Sequence, residues 1–313
     1  MMRKAIGIDF GGTYIKGALI DTQGQILVKD QIPTLKEEGA ASILQRIAEL
    51  IKQLAASGGV AWTELSGVGI GIPGFIDDWA GIAVEVINVG WKQVAVREPL
   101  QNALQLPVFM ENDANAAALG EAWVGAGRGA KSAICVTLGT GVGGGIVLQQ
   151  KIWRGSNHMG GELGHFVLDP QGAPCNCGRR GCLETFSSAT GILRMARVGL
   201  ESGMTSVLHM DSLSTKEVFD AAATGDELGK RVVAMAAEML GRGLAIAADL
   251  LNPEIIIIGG GVAKAGDDLF VPVQHAFARY ALPRVAEAAR IVPAVLGNDA
   301  GVVGAGKLTF QND

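Results

Sequence analysis

Two runs of apolar, largely β-branched residues open the chain, Lys4 to Phe10 and Ile15 to Ile20. The Gly-Gly-Thr between them marks a turn, so the pattern predicts a β-hairpin, with a third strand near Ile26 to Gln31. The period then changes. Ile43, Leu44, Ile47, Leu50, Ile51 and Leu54 recur at three and four residues, which predicts an amphipathic helix over Ala40 to Ser57, ended by Gly58-Gly59. A strand from Gly67 to Ile72 is closed by Pro73-Gly74, and a short strand from Pro107 to Met110 runs into Glu111-Asn112-Asp113. Ala114 to Val124 follows, rich in helix formers. Ser132 to Gln149 repeats the opening arrangement of strand, Gly-Thr-Gly turn and strand, which suggests a duplicated architecture. Helices are predicted over Lys216 to Thr224, Glu227 to Leu251 and Asp267 to Tyr280. Glu254 to Ile258 reads as a buried strand leading into Gly259-Gly260-Gly261, and a terminal helix is expected within Asn298 to Lys307 despite its glycines. Strands and helices alternate throughout, so the fold class is α/β, with antiparallel hairpins on otherwise parallel sheets.

Composition narrows this picture. A chain of 313 residues has room for two domains, and 49% hydrophobic with 18% charged residues excludes a disordered chain. The net charge of −5 argues against a generally basic nucleic-acid binder. Glycine is in excess, at 45 residues, but without a Gly-X-Y period, so many places require sharp turns or close backbone approach. The charge-free stretch from Ala133 to Gln150 approaches membrane length, yet Gly139, Gly141, Gly143, Gly144 and Gly145 break it into two strands and a turn. Arg3 and Lys4 lead directly into a strand with no secretory pattern, so a cytoplasmic protein is expected, with no membrane partner.

Three glycine turns follow predicted strands. In Asp9-Phe10-Gly11-Gly12-Thr13 a carboxylate ends the strand, two glycines bare the backbone N–H groups, and a hydroxyl follows; this is either an ordinary hairpin turn or a phosphate cradle. Leu138 to Gly145 satisfies the dinucleotide spacing G-x-G-x-x-G, but Ile146-Val147-Leu148 continues as a strand where that fingerprint must open a helix. With Gly259-Gly260-Gly261, the set suits a nucleoside triphosphate gripped by its phosphates. His165, Cys175, Cys177 and Cys182 offer one imidazole and three thiolates within 18 positions, a set suited to a closed, structural tetrahedral zinc site. Asp113, at a strand-to-helix turn, could cap the helix or act as a base.

In order, GIDFGGT, GIPG, END, LGTGVGGG, ELGH, CNCGRRGCLE and GGGV resemble the ROK family of sugar kinases, within the actin-like ATPase superfamily, over nearly the whole chain. The cysteine-bearing block is the most specific part of the match. The resemblance implies a two-lobed actin-like ATPase (ribonuclease H-like) fold with a duplicated β-hairpin phosphate-binding architecture and a zinc-bound loop. Residues 1–112 with 298–313 would form the smaller lobe, and residues 113–297 the larger lobe, with the zinc loop and a nucleotide-binding segment. It implies transfer of the γ-phosphate of Mg²⁺-ATP to the 6-hydroxyl of glucose, with Asp113 as general base and Asn112 bonding neighbouring ring hydroxyls. Glu162, His165 and Glu184 would also bind the sugar, His165 doubling as a zinc ligand, and Gly74 and Asn88 match family positions near it. Asp9 would hold Mg²⁺ through water, and Thr13 and Thr140 would contact phosphates. Gly11, Gly12, Lys16, Gly139, Gly141, Gly259, Gly260 and Gly261 complete the implied nucleotide site. Kinases for N-acetylmannosamine, N-acetylglucosamine, fructose, mannose or allose share these hydroxyl-binding residues, and polyphosphate is an alternative donor. A sugar-responsive transcriptional regulator is the rival class, but the first strand begins at about residue 4, which leaves no room ahead of it for a helix-turn-helix, so no nucleic-acid partner is expected. A homodimer or homotetramer is implied.

Overall fold

The computed structural model describes residues 3–311. These divide into two compact units: the described residues of Met1–Lys131, Gly145–Gly161 and Val295–Asp313 form the first, and Ser132–Gly144 with Glu162–Ala294 the second. In chain order the first unit begins with β1 (Lys4–Phe10), β2 (Tyr14–Asp21), β3 (Ile26–Pro33), α1 (Gly39–Ser57) and β4 (Leu65–Ile72). A small antiparallel sheet follows, β5 (Phe75–Asp77), β6 (Ile82–Val86) and β7 (Trp91–Ala95), then α2 (Arg97–Leu104), β8 (Val108–Asn112) and α3 (Asp113–Val124). The second hairpin is β9 (Ser132–Leu138) and β10 (Val142–Leu148), followed by the short β11 (Lys151–Ile152). The second unit continues with α4 (Glu184–Ser187), α5 (Ala189–Glu201), α6 (Thr215–Ala223), α7 (Glu227–Leu251), β12 (Ile255–Gly259), α8 (Asp267–Tyr280), α9 (Pro283–Ala288) and β13 (Arg290–Pro293). The chain closes with α10 (Ala300–Leu308), which belongs to the first unit.

The first unit's sheet has the order β3-β2-β1-β4-β8. β1 and β2 form the expected antiparallel hairpin, and β1, β4 and β8 run parallel. The parallel strands are almost wholly buried because helices cover the sheet. On one side α1 buries Ile43, Ile47, Leu50, Ile51 and Leu54, the stripe its spacing predicts. On the other, α10 can approach because glycines remove the obstacle: a side chain at Gly7 would collide with the Val302 carbonyl, and one at Gly304 with the Ala116 carbonyl. The glycines that weaken α10 as an isolated helix are therefore what let it pack. The same contact draws α3 to α10, so Asp113–Val124 lies with the first unit instead of beginning the second, which differs from the expected boundary after residue 112.

In the second unit β12 pairs parallel with β9 on one side and β13 on the other. The 25-residue α7 spans its core; Asp226 caps its start by accepting from the Gly229 N–H, and Asn252, left-handed at φ 44°, ends it before Pro253. The core collects Ile134, Val136, Ile256 and Ile258 from the sheet with Leu240, Leu244 and Phe277 from the helices. No helix among the described residues is long and apolar enough to cross a membrane.

Candidate functional site

The first unit's groups gather at one edge of its sheet. Asp9 on β1 stands abreast of Gly71 on β4, and Gly71 abreast of Glu111 on β8. Asp9 and the Asn112-Asp113 pair therefore leave the carboxyl ends of parallel strands, where open α/β sheets bind ligands, two strand spacings or roughly 10 Å apart. The Asp9 carboxylate is backed by α10 at Gly301, whose missing side chain makes the space it occupies. Burial raises its pKa, opposed by Lys16, whose Nζ lies 3.4 Å from Oδ2. A buried carboxylate with one long ammonium contact favours a further cation. In the turn beyond Asp9, the Gly11 N–H donates to the Tyr14 carbonyl at 3.0 Å, Thr13 is exposed, and Gly12 lies against the Asn88 side chain.

Asn112, and not Asp113, caps α3. Its Oδ1 accepts from the Ala114 and Asn115 N–H groups at 2.9 and 3.2 Å, and its Nδ2 donates to the Gly74 carbonyl at 3.1 Å. Asp113 is the first helical residue, half-buried, with Oδ1 accepting from the Ala114 N–H at 2.9 Å. Gly74, at φ 98°, adopts a conformation L side chains avoid, and a Cβ there would strike the Glu85 carbonyl. Thus Gly74 has a structural reason to be glycine, and it buttresses Asn112.

Two residues absent from the sequence expectation hold this corner. Glu111 is 4% exposed; its Oε1 accepts from the Asn112 N–H and from Asn115 Nδ2, each at 3.0 Å, while Oε2 accepts from Arg154 Nε at 2.6 Å. Removing the guanidinium would strand a buried carboxylate beside this corner. Arg154→Ala is expected to destabilise the protein by about 3 kcal/mol. The double variant Glu111→Gln/Arg154→Ala should lose less than the sum of the single changes, read by denaturant unfolding of the full cycle.

The second unit carries the other groups. Gly139 donates its N–H to the Gly141 carbonyl at 3.0 Å, and the turn is tied to α5: the Gly139 carbonyl accepts from the Ala189 N–H at 2.9 Å and the Thr140 carbonyl from Thr190 Oγ1 at 2.7 Å. These bonds fix the turn through its carbonyls; with the Gly139 N–H already engaged, the Thr140 and Gly141 N–H groups are the ones to meet an anion. Gly260, at φ 90°, packs on the Leu138 carbonyl, which sets the Gly259–Gly261 turn beside this one. Glu184 joins the glycine turn to the cysteine cluster. Its Oε2 accepts from the Val142 N–H at 3.0 Å against the face of Gly141, and its Oε1 accepts from Cys175 Sγ at 3.7 Å.

The donor atoms of His165, Cys175, Cys177 and Cys182 all lie within 4.8 Å of one another. Cys177 and Cys182 sulfurs are 3.6 Å apart, and His165 Nδ1 is 3.7 Å from Cys175 Sγ. A tetrahedral zinc with bonds of about 2.3 Å to sulfur needs edges of about 3.8 Å, so these two separations match that ion and the widest, at 4.8 Å, would have to close by about 1 Å. None of the four cysteines of the chain is in a disulfide, and Cys135 is core, as expected. The remaining ring nitrogen of His165, Nε2, faces Glu162 Oε2 at 3.9 Å. Burial raises the Glu162 pKa; the His165 charge opposes this and the Glu184 carboxylate adds to it.

The ROK family model matches residues 5–312. A glucokinase of Halalkalibacterium halodurans is 47% identical over 98% of this chain and 95% of its own length. The crystal structure of a ROK hexokinase from Thermus thermophilus, 34% identical, covers 99% of this chain and 100% of its own with a TM-score of 0.88. That of a ROK family glucokinase from Streptomyces griseus in complex with glucose and AMPPNP, 33% identical, covers 98% of this chain and 99% of its own with a TM-score of 0.79.

Proposed function

Since the chain belongs to the ROK family, we propose that it is an ATP-dependent glucokinase that phosphorylates the 6-hydroxyl of glucose. Its α/β architecture, with a glycine turn after the first strand of each hairpin, is that of the ROK sugar kinases. The observation that carries the mechanism is the placement of Asp9 and the Asn112-Asp113 pair at the carboxyl ends of parallel strands in one unit, two strand spacings or roughly 10 Å apart.

Asp113 is the general base. Phosphoryl transfer requires an acceptor hydroxyl held in line with the γ-phosphorus, and a carboxylate fixed at the first turn of α3 can take its proton as the new P–O bond forms. Asn112 orients the sugar while its Oδ1 caps the helix, so binding and helix geometry are coupled through one side chain. Asp9 would hold Mg²⁺, whose charge offsets that developing on the phosphates. Thr13, Thr140 and the N–H groups of the two hairpin turns bind phosphates, Lys16 neutralises charge beside Asp9, and the Gly259–Gly261 turn takes the nucleoside side.

Glu162, His165 and Glu184 bind sugar hydroxyls. With His165 bound to zinc through Nδ1, its Nε2 carries the proton, and a hydroxyl approaching both groups can accept from the imidazole and donate to Glu162. Gly74 acts through its carbonyl on Asn112, and Asn88 lines the sugar side beside Gly12. The zinc is structural: four protein ligands close its shell. The enzyme works in the cytoplasm as a homodimer or homotetramer, without a nucleic-acid partner.

The test is a coupled ADP-release assay with ATP over glucose, mannose, fructose, allose and the N-acetylhexosamines, with sugar phosphate formation measured directly when polyphosphate, which yields no ADP, replaces ATP. Glucose with ATP should give the highest kcat/KM. Sugar-stimulated release from none of them would overturn the kinase reading, and a preferred N-acetylhexosamine would replace the substrate.

A further inference from the structure

The second unit contains a cavity of about 430 Å³ to which none of the groups above contributes. That volume lies in the range of small-molecule sites. Its walls come from the stretch that bears the cysteines, from α5 and from α7, and its chemistry is of two kinds. Arg180, Arg194 and Arg231 supply three guanidiniums, and no aspartate or glutamate lines it. Phe186, Met195, Val198, Met204, Leu228 and Met235 supply an apolar lining, in which the unbranched methionines can adapt to an occupant's shape.

Three arginines line the cavity with no acid among its lining residues; Arg180 and Arg231 are exposed and Arg194 is half-buried. Arg194 donates to the Thr185 carbonyl at 3.0 Å, which fixes its direction without neutralising it, and burial pushes its pKa down. Burial of Arg194 favours a counter-ion beside it, and an anion in the cavity would supply one. A monocarboxylate offers two oxygens and is satisfied by one guanidinium fork, whereas a phosphate monoester offers three terminal oxygens and a double charge, matched to three guanidiniums.

We infer that this cavity is a second ligand site, which takes a phosphate monoester carrying a compact apolar group and, when filled, alters the affinity of the sugar site. The guanidiniums hold the phosphate, and the methionines with Phe186 enclose the apolar part. Coupling runs through short covalent and hydrogen-bonded links. Thr185, which accepts from Arg194, directly follows Glu184, and Arg180 lies between Cys177 and Cys182. A ligand that draws on these arginines therefore pulls on the segment that carries Glu184 and the zinc ligands. The site itself stands apart from the assigned activity; the coupling to sugar affinity rests on the glucokinase reading.

Isothermal titration calorimetry of the full, zinc-loaded chain with 1-naphthyl phosphate tests the site, in the presence of glucose and a non-hydrolysable ATP analogue to fill the catalytic groups. Saturable binding at one per chain is expected, at least tenfold tighter than inorganic phosphate or 1-naphthol alone. Arg231→Ala, an exposed change on α7, and Met235→Trp, which fills the cavity and keeps every charge, should each weaken it at least tenfold with the circular dichroism spectrum unchanged. Absence of saturable binding at millimolar ligand, equal binding by both variants, or equal binding of inorganic phosphate overturns the assignment. The KM for glucose should shift at least threefold when the ligand is bound in wild type and stay constant in Arg231→Ala; confirmed binding with an unmoved KM overturns the coupling. Calorimetry needs no turnover, so a chain that phosphorylated no sugar would still bind, or fail to bind, the phosphate monoester measurably.

Discussion

Asp113→Asn is expected to lower kcat for glucose phosphorylation by two orders of magnitude or more while the KM for glucose stays within about threefold, the scale usual for loss of a general base. The substitution is well isolated. Helix α3 is capped by Asn112, whose Oδ1 holds the first two helical N–H groups it can reach, so the helix does not depend on Asp113 for its start. Asparagine at 113 also keeps an oxygen to accept from the Ala114 N–H, the bond Asp113 makes at 2.9 Å. What changes is the capacity to take a proton. Steady-state kinetics under saturating ATP checks this, and turnover near the wild-type value would remove Asp113 from the mechanism. Asn112→Ala should behave differently: it deletes the cap and the bond to the Gly74 carbonyl, costing about 1 kcal/mol of stability and raising KM together with any loss in kcat.

That contrast exposes where the sequence was readable. Glycine punctuation between apolar runs marked both hairpins, because only the turns interrupt otherwise buried strands; β1 with β2 and β9 before β10 fall where the runs predict. The cysteine spacing marked the metal-ligand cluster for a similar reason: four soft donors within 18 positions have few other uses. By contrast, adjacent polar residues at a strand end are equivalent to a pattern. Whether Asn112 or Asp113 caps α3 depends on which is the last residue of β8, and that is set by pairing with Ile72 on a different strand. Arg154 was illegible for a related reason. Its partner Glu111 is 43 positions away, and it sits in a glycine-rich stretch after a two-residue strand, without periodicity to signal that it points inward. The sheet β5-β6-β7 escaped because its strands are three to five residues long, too short for alternation to separate from loop. Helix α5 follows the cysteine-bearing stretch after only the one-turn α4, and Gly191 and Gly199 on its buried face dilute the apolar spacing.

Cys182→Ser should have the second large effect, on metal content and sugar binding together. Cys182 is fully buried, and in the absence of a cation the three thiols cannot all ionise. Burial, and the hydrogen bonds that its own S–H donates to the neighbouring sulfurs, push Cys182 up to about 12, whereas at Cys177 burial is outweighed by Arg179 and the other thiols, which bring it down to about 6. A bound dication would hold all three as thiolates and displace the protons that Cys175 and Cys182 keep at neutral pH, so zinc should be retained at neutral pH and lost progressively on acidification. Wild-type protein purified without added zinc is expected to contain about one zinc per chain by atomic emission, and Cys182→Ser less than a tenth of that. The consequence should reach the sugar because the ligands are neighbours of its binding groups: His165 faces Glu162 through Nε2, and Cys175 contacts Glu184. Loss of the ion frees the imidazole to rotate and loosens the segment between Cys175 and Glu184, so the KM for glucose should rise at least tenfold, on the scale of lost metal-shell support. The groups of the first unit proposed to be catalytic are untouched by the change, so residual turnover at saturating glucose should exceed that of Asp113→Asn. A variant that lost its zinc yet kept the wild-type KM would separate the cysteine cluster from sugar binding and leave it only a folding role.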